Sequence, residues 1–459
     1  NVLQMNEKEA AAVGKLSPNS PTVELIAGNN GPVSRLYHKR FFILLLFCLY
    51  SMSNAFQWIE YSVLNNIVTH YYGISELAVN LTSVVYMVVY IPGIFPASWL
   101  INKKGIRFSV LLGSFGTCFG SWIKCLSVEP DRFWITMTGQ TIVAASQLFL
   151  LSLPPRLAAV WFGPNEVSRA TAVGVFGNQL GIALGFVIPP LIVMDTKNKE
   201  VVGNDMQILF LSVAILTTIL FGLNIIFFEE KPLTPPSIAQ ANAEIAQSEE
   251  SYVKSMKALF CNRNYDLLLL SYGIMCGVFY AVSTVLNQVV VSNPLYKDGS
   301  KLAGIMGFIM TVVGMFGSVV CGTILDTTHR YKETTLVIYV CSFIGMLGFT
   351  WSLEVGRVWL VYIVCAALGF FMTGYLPIGF EFASELSYPQ PEGTSSGLLN
   401  ASAQIFGIIF TVLASDLVVR YSSLLTNILL SSTLIIGIIT TAVTQADLRR
   451  QEALKIPIP

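Results

Sequence analysis

Long stretches without a charged residue constrain this chain more than any other feature of its sequence. These runs cover residues 41–59, 77–101, 108–123, 133–155, 170–194, 206–228, 267–296, 302–325, 334–353, 358–380, 393–415 and 421–446. Each is close to or longer than the roughly 17 to 25 residues with which a helix crosses a bilayer. None alternates as a barrel strand does. The sequence therefore predicts an all-α membrane protein with twelve transmembrane helices, numbered here as spans 1 to 12.

The composition excludes the soluble classes of protein. Of 459 residues, 12% are charged and 54% are hydrophobic, whereas soluble domains carry about 25% charged residues. So little polar surface argues against a soluble enzyme, and we expect no enzyme activity. The 27 Lys and Arg balance the 27 Asp and Glu, and no basic stripe is present, so we expect no nucleic-acid partner. The expected surroundings are membrane lipid.

Cysteine and histidine patterns point to no metal, cofactor or catalytic residue. Most of the eight cysteines fall within the uncharged runs, without a CxxC pair or a disulfide framework. The three histidines, His38, His70 and His329, lie in or beside loops. The polar segment at 1–40 resembles neither a signal peptide nor an Arg-rich transit sequence. We therefore expect span 1 to stay in the protein.

The distribution of positive charge predicts the orientation. With the termini and even-numbered loops on one side, that side holds nineteen of the 27 Lys and Arg. The positive-inside rule then places both termini in the cytoplasm. The longest loop is rich in Pro at its start and then in Ala, Gln and Glu, as linkers are. The predicted units are a tail at 1–40, a six-helix half at 41–228, a linker at 229–266, a second half at 267–446 and a tail at 447–459.

The two predicted halves are related to each other by sequence. WxxxSVLNNI at 58–67 matches YxxxTVLNQV at 280–289. Three further matches follow in the same order and at nearly the same separation along the chain: Leu153-Pro154 with Leu376-Pro377, Ser98 and Asn102 with Gly322 and Asp326, and Gln179 with Gln404. A parallel repeat of six spans resembles the construction of major facilitator transporters, whose site lies between the halves near the membrane midplane.

The loop after span 8 supports that resemblance. Gly322, Asp326 and Arg330 match the GxxxD…R pattern of the superfamily. A Gly lets helices approach closely, and an Asp can cap a helix or pair with Arg. We expect Asp326 and Arg330 to close a cytoplasmic gate, together with Glu381 and Glu385 at the inner end of span 10; a plain loop charge is the alternative for Asp326.

Ionisable residues within spans are scarce, and such residues are functional candidates by default. We expect Lys124 to extend to the outer membrane interface. Glu60 lies two residues after Trp58, about 200° around a helix, so the two should occupy different faces. Glu60 is either a site residue or an acid satisfied by another helix.

Uncharged polar and aromatic residues are more frequent in the spans that line the cavity of this architecture. Trp58 and Tyr280 are equivalent in the repeat, as are Gln179 and Gln404. Opposed aromatic faces attract an organic cation, and amides can bind a hydroxyl without adding charge. Ordinary contacts between membrane helices are the alternative interpretation. Further candidate cavity residues are Asn54, Tyr61, Asn287 and Asn400.

Five further strings are distinctive: NAFQWIEYS at 54–62, WFGPNEVS at 161–168, GNQLG at 177–181, GFFMTGYLP at 369–377 and GTSSGLLNASAQIFG at 393–407. They resemble one family within this superfamily, the feline leukaemia virus subgroup C receptor family. The resemblance implies transport of choline and ethanolamine, or export of haem, which was associated with the family earlier. It implies a choline site formed by Trp58, Tyr280, Gln179 and Gln404. Glu60 departs from the family's pattern, which has Gln there.

We therefore expect a monomeric uniporter that moves choline, and also ethanolamine, across the plasma membrane. Haem export and a ligand sensor that does not translocate remain alternatives. Haem would need an axial ligand and cations for its propionates, and the candidate cavity offers neither. The sequon at Asn80 abuts span 2, which places it close to the membrane.

Overall fold

The computed structural model describes residues 23–26, 34–151, 153–163, 166–232, 257–296, 298–388 and 392–445. In this part of the chain, twelve helices are long and apolar enough to cross a membrane, which confirms the predicted fold class. The spans lie in helices Lys39–Ile59 and Asn65–Tyr72 (span 1), Glu76–Cys125 (spans 2 and 3), Phe133–Leu151 (4), Val167–Ile192 (5), Lys199–Phe227 (6), Arg263–Val291 (7), Gly299–Thr328 (8), Tyr331–Val355 (9), Val358–Ser387 (10), Glu392–Arg420 (11) and Ser423–Val443 (12). A short helix, Leu153–Trp161, follows span 4.

Spans 2 and 3 join at a tight corner rather than a loop. Gly105 has a φ angle of +87°, a backbone conformation that residues other than Gly rarely adopt. The backbone amides of Ile106 and Arg107 donate to the Glu230 carboxylate, each at 2.7 Å. A carboxylate is favourable at a helix N-terminus, where amides lack partners. The start of the linker thus caps span 3.

A small hairpin precedes span 1, within the segment predicted to be a plain tail. Strands β1 (Val23–Ile26) and β2 (Ser34–Tyr37) pair antiparallel, with Val23 opposite Tyr37 and Ile26 opposite Ser34. The termini and residues 233–256 of the linker lie outside the described residues, and the predicted unit boundaries stay predictions.

The two halves meet along span 5 against span 8 and span 2 against span 11. Gly304 and Gly307 of span 8 face Phe186 of span 5. A Cβ atom on Gly304 would lie 2.5 Å from the Phe186 carbonyl oxygen. Only Gly permits this approach, so the helix backbones pack closely here.

Spans 1 and 7, which the repeat relates, are buried along most of their lengths. Large apolar side chains on the outer surface are exposed instead, among them Trp99, Ile226 and Phe316. Lipid rather than water suits such a surface. The fold therefore places the two candidate aromatic residues at the centre of the molecule.

Candidate functional site

Trp58 lies next to a break in span 1. The first helix ends at Ile59, and a 3-10 turn at Ser62–Leu64 precedes the second helix. Other spans supply the hydrogen bonds that the break leaves unmade. The Trp58 carbonyl accepts from the Ser83 hydroxyl at 2.7 Å, and the Gln57 carbonyl accepts from Gln140 Nε2 at 2.9 Å. Side chains of spans 2 and 4 therefore hold the backbone that presents Trp58.

Trp58 and Tyr280 come into direct contact between the halves. Their ring centroids are 5.7 Å apart, and the ring planes meet at 74°, which is an edge-to-face arrangement. Trp58 is 5% exposed and Tyr280 is half-buried. A cation can enter between these rings only if they separate.

The two glutamines that the repeat pairs have different surroundings. Gln404 is buried, and its side-chain amide lies close to the Tyr280 hydroxyl. Gln179 is half-buried, and its buried Oε1 atom has no hydrogen-bond partner among the described residues. The structure thus joins Trp58, Tyr280 and Gln404 into one cluster, whereas Gln179 keeps an unused acceptor.

The further candidate cavity residues divide in the structure. Asn54 donates to Thr117 Oγ1 and to the Val143 carbonyl, both at 3.1 Å, so its amide hydrogens join helices of one half. Tyr61 is buried beside Phe210. Asn400 is half-buried on span 11, one turn before Gln404. Asn287 belongs to a polar network between the halves.

Glu60 and Lys124 form an ion pair in which each side chain is 1% exposed. The expectation that Lys124 extends to the membrane interface is therefore wrong. Its Nζ atom also donates to Gln140 Oε1 at 3.2 Å, so a buried acid and an amide satisfy this cation within the N-terminal half. Of the two interpretations of Glu60, contact with another helix agrees with this geometry. Isolated charges are too costly to bury, which explains the pairing.

A polar network joins the halves on the side of the molecule opposite the termini. Asn287 Nδ2 donates to the Val63 carbonyl at 2.7 Å, and Asn287 Oδ1 accepts from the Asn66 backbone amide at 3.3 Å. Ser300 of span 8 donates to Asn66 Oδ1 at 2.7 Å. These bonds connect the second helix of span 1 to spans 7 and 8.

A second part of the network centres on Asn80 and Gln288. Asn80 Nδ2 donates to Gln288 Oε1 at 2.5 Å and to Ser415 Oγ at 3.0 Å. Gln288 Nε2 donates to Glu76 Oε2 at 2.5 Å. Span 2 is thereby bonded to spans 7 and 11 at the same end of the molecule.

Sequence reasoning missed Asn80 and Glu76. In the sequence Asn80 stands out only as part of a sequon, whereas in the structure its side chain is fully buried. Its position inside an uncharged run was the available signal, because a polar residue in a span needs a partner. Glu76 lies just before the uncharged run that starts at residue 77, and no sequence pattern predicts its contact with Gln288.

A cavity of about 230 Å³ lies beside this network, with walls from both halves. Its lining residues are Asn65, Asn66, Glu76, Asn287, Gln288, Val291, Ser292, Val418 and Val419. Most of the polar lining comes from amides, and Glu76 supplies a carboxylate.

The candidate gate residues lie at the opposite end. Glu385 is buried and accepts a hydrogen bond of 3.5 Å from the Tyr331 hydroxyl, whereas Glu381 is exposed. Arg330 is exposed and follows His329, whose positive φ of +51° ends the helix of span 8. The Asp326 side chain lies outside the described part of the structure, and the gate stays a prediction.

Within the described residues, no three His, Cys, Asp or Glu side chains gather as a metal site requires. His38, His70 and His329 are all exposed. None of them lies with the aromatic pair, so no histidine could act as an axial ligand for haem at the cluster around Trp58.

Comparison with known proteins agrees with this architecture. The model of the Major Facilitator Superfamily matches residues 43–411. The chain is 48% identical to the choline/ethanolamine transporter flvcr2a of Danio rerio, over 92% of this chain and 89% of that protein. It is 48% identical to the choline/ethanolamine transporter FLVCR1 of Felis catus, over 95% of this chain and 78% of that protein.

A solved D-xylose-proton symporter has the same fold. It superposes with a TM-score of 0.66 at 14% sequence identity, over 88% of this chain and 97% of the symporter. The two transporter relatives match over most of both chains, and the family model covers most of this one. The chain therefore belongs to the feline leukaemia virus subgroup C receptor family of the major facilitator superfamily.

Proposed function

We propose that this protein is a monomeric uniporter that carries choline, and also ethanolamine, across the plasma membrane. The observation that supports this most is the contact of Trp58 with Tyr280, because it places two aromatic rings from opposite halves at the centre of the molecule. The relatives named choline/ethanolamine transporters support the same substrate class.

In this mechanism, the rings separate to admit the substrate ammonium and hold it by cation–π attraction. Such contacts are worth up to about 2 kcal/mol when desolvated. The free Oε1 atom of Gln179 can accept a hydrogen bond from the substrate hydroxyl. Gln404 lies beside the Tyr280 hydroxyl and helps to orient the Tyr280 ring. The amides add recognition without adding charge.

Transport requires the halves to rock about this site. With both termini in the cytoplasm, the network of Asn66, Asn80, Asn287 and Gln288 lies on the extracellular side. Its bonds between halves close that side and must break before substrate can enter from outside. Asp326, Arg330, Glu381 and Glu385 are proposed to close the cytoplasmic side in the alternate state.

The buried ion pair supports transport without proton coupling. Lys124 already occupies the Glu60 carboxylate, so protonation of Glu60 during the cycle would leave an unpaired buried cation, which is costly. The substrate ammonium is then the charge that crosses the membrane. One charge moved through 100 mV is worth about 2.3 kcal/mol, or roughly fifty-fold accumulation.

The test uses purified protein in liposomes at symmetric pH and without Na⁺. An inside-negative potassium diffusion potential should drive concentrative uptake of labelled choline, and protein-free liposomes serve as the control. Uptake that ignores voltage but follows a pH step would reject the uniporter, and Glu60→Gln would then show whether Glu60 carries the proton. Binding without uptake would favour the ligand sensor. Uptake of haem in place of choline would favour the haem exporter.

A further inference from the structure

The carboxylate of Glu76 gives the outer cavity a chemistry that the aromatic cluster lacks. Glu76 lines a space of about 230 Å³ together with amides of spans 1 and 7. Pockets for drug-sized ligands begin near roughly 300 Å³, so this cavity suits a small molecule. Val291, Val418 and Val419 give it an apolar wall on one side.

The carboxylate retains capacity to bind a ligand. Glu76 Oε2 accepts from Gln288 Nε2 at 2.5 Å, and a carboxylate offers about four acceptor positions. Glu76 itself is half-buried, which reduces screening by solvent. Asp195 adds a second carboxylate near the rim, where its Oδ2 atom accepts from Asn66 Nδ2 at 3.0 Å.

The cavity lies on the route to the aromatic pair. Gln288 follows Tyr280 by eight residues on one continuous helix, a distance of roughly 12 Å at 1.5 Å per residue. A cation that approaches from the side opposite the termini therefore meets the cavity before it meets the rings.

We propose that this cavity is a second, outer cation site that prefers a primary ammonium, represented here by ethanolamine. A primary ammonium has three N–H donors, which Glu76 and the amide oxygens can accept. A trimethylammonium group has no N–H donor, so the ammonium group of choline gains only the charge attraction. This inference rests on the proposed transport of ethanolamine, and it adds a site that distinguishes the two substrates.

The experiment places a thiol in the cavity wall. Val291→Cys, or Val419→Cys if the first variant folds poorly, is labelled with a membrane-impermeant thiol reagent in proteoliposomes. Wild type measures labelling of the native cysteines. Ethanolamine should slow labelling at lower concentrations than choline does. Glu76→Gln should raise the half-protecting concentration of ethanolamine about tenfold, equivalent to about 1.4 kcal/mol, whereas Glu76→Asp should keep most of the protection.

Two controls separate this site from other causes. Glu200→Gln makes the same chemical change at an exposed acid at the start of span 6, outside the cavity lining, and should leave protection unchanged. Trp58→Ala removes the aromatic site, so protection that persists there comes from the cavity itself. Unchanged protection in Glu76→Gln, or protection lost in Trp58→Ala, would overturn the proposal. Uptake of labelled ethanolamine is measured in parallel: protection without uptake would reject the carrier function alone, and uptake without protection would reject the outer site alone.

Discussion

Glu60 in the N-terminal half and Val282 in the C-terminal half occupy matching positions, at the offset that relates Trp58 to Tyr280. Both side chains are almost fully buried, but Glu60 pairs with a lysine and Val282 packs as an apolar residue. The same architecture therefore accepts a buried charge pair in one half and an apolar contact in the other. The ion pair is a specific feature of the first half and is not required by the fold.

The two spans also differ in their backbones. Span 7 is one continuous helix, Arg263–Val291, whereas span 1 breaks after Ile59. A continuous helix satisfies its own carbonyls, but the broken one needs Ser83 and Gln140. Because Gln140 also accepts from Lys124, the ion pair and the break belong to one network. The comparison of the halves shows that the network of Glu60, Lys124 and Gln140 occurs where span 1 is broken. This network supports the broken backbone next to Trp58.

The largest expected effect comes from breaking the ion pair. Lys124→Met leaves the Glu60 carboxylate buried without its cation and should lower the free energy of unfolding by about 3 to 5 kcal/mol. Chemical unfolding of the purified protein in detergent measures this. The double variant Lys124→Met/Glu60→Gln should recover most of the loss, because no unpaired charge remains. A single variant as stable as wild type would mean that water reaches this site.

The next effect compares the two aromatic residues. Trp58→Ala should weaken choline binding by about 2 kcal/mol, or about thirtyfold, and Trp58→Phe should keep part of the affinity because a phenyl ring retains a weaker quadrupole. Tyr280→Phe should lose less than Tyr280→Ala for the same reason. Uptake at matched surface expression tests this series. Equal activity of wild type and Trp58→Ala would remove the ring from the site.

The fold was predictable because lipid imposes a simple rule on the sequence. A charge-free run long enough to cross the membrane becomes a helix, and the run at 302–325 is contained in the helix Gly299–Thr328. The ends of the helices are predicted less accurately than the helices themselves. A helix often begins at a polar capping residue, and such a residue can lie outside the uncharged run. The helix at Glu76 begins with the Ser75 hydroxyl accepting from the Ala78 amide, just before the uncharged run starts.

Contacts between distant residues were not predictable from local patterns. The break in span 1 contains neither Pro nor Gly at residues 60–64, and it depends on hydrogen bonds from spans 2 and 4. Lys124 follows the end of an uncharged run, and this position favours a side chain at the membrane interface. Its partner Glu60 lies on a different span, far away in the sequence, so no local pattern predicts the pair. The repeat matches Trp58 with Tyr280, and the two rings are in contact because both lie close to the axis that relates the halves. The substrate-binding role of Trp58 and Tyr280 stays a prediction.

A smaller effect compares the two glutamines. Gln179 has an unpaired Oε1 atom, whereas the Gln404 amide lies beside the Tyr280 hydroxyl. Either change to Ala should weaken choline binding by about 1 kcal/mol, the net value of one hydrogen bond. Only Gln404→Ala should also lower the free energy of unfolding, because it removes a buried side chain and the amide beside the Tyr280 hydroxyl. Isothermal binding and chemical unfolding on both variants test the difference, and identical profiles would contradict it.

The smallest effect concerns the residues at the C-terminal ends of spans 2 and 8. Asp326 of the second half matches Asn102 of the first, so Asp326→Asn gives both halves the same uncharged residue. Since Asp326 lies near the end of span 8 and far from the aromatic pair, choline affinity should stay at the wild-type value. The balance between the two open states should shift by less than about 1 kcal/mol, the range of one exposed charge interaction.

The direction of that shift follows from the role proposed for Asp326. A closed inner gate belongs to the outward-open state, so a weakened inner gate moves the ligand-free population toward the inward-open state. The outer side is closed in that state. Labelling of Val291→Cys from the outer side should therefore slow modestly when Asp326→Asn is added. Faster labelling in the double variant would mean that Asp326 stabilises the inward-open state instead, and its role in closing the inner gate would be rejected.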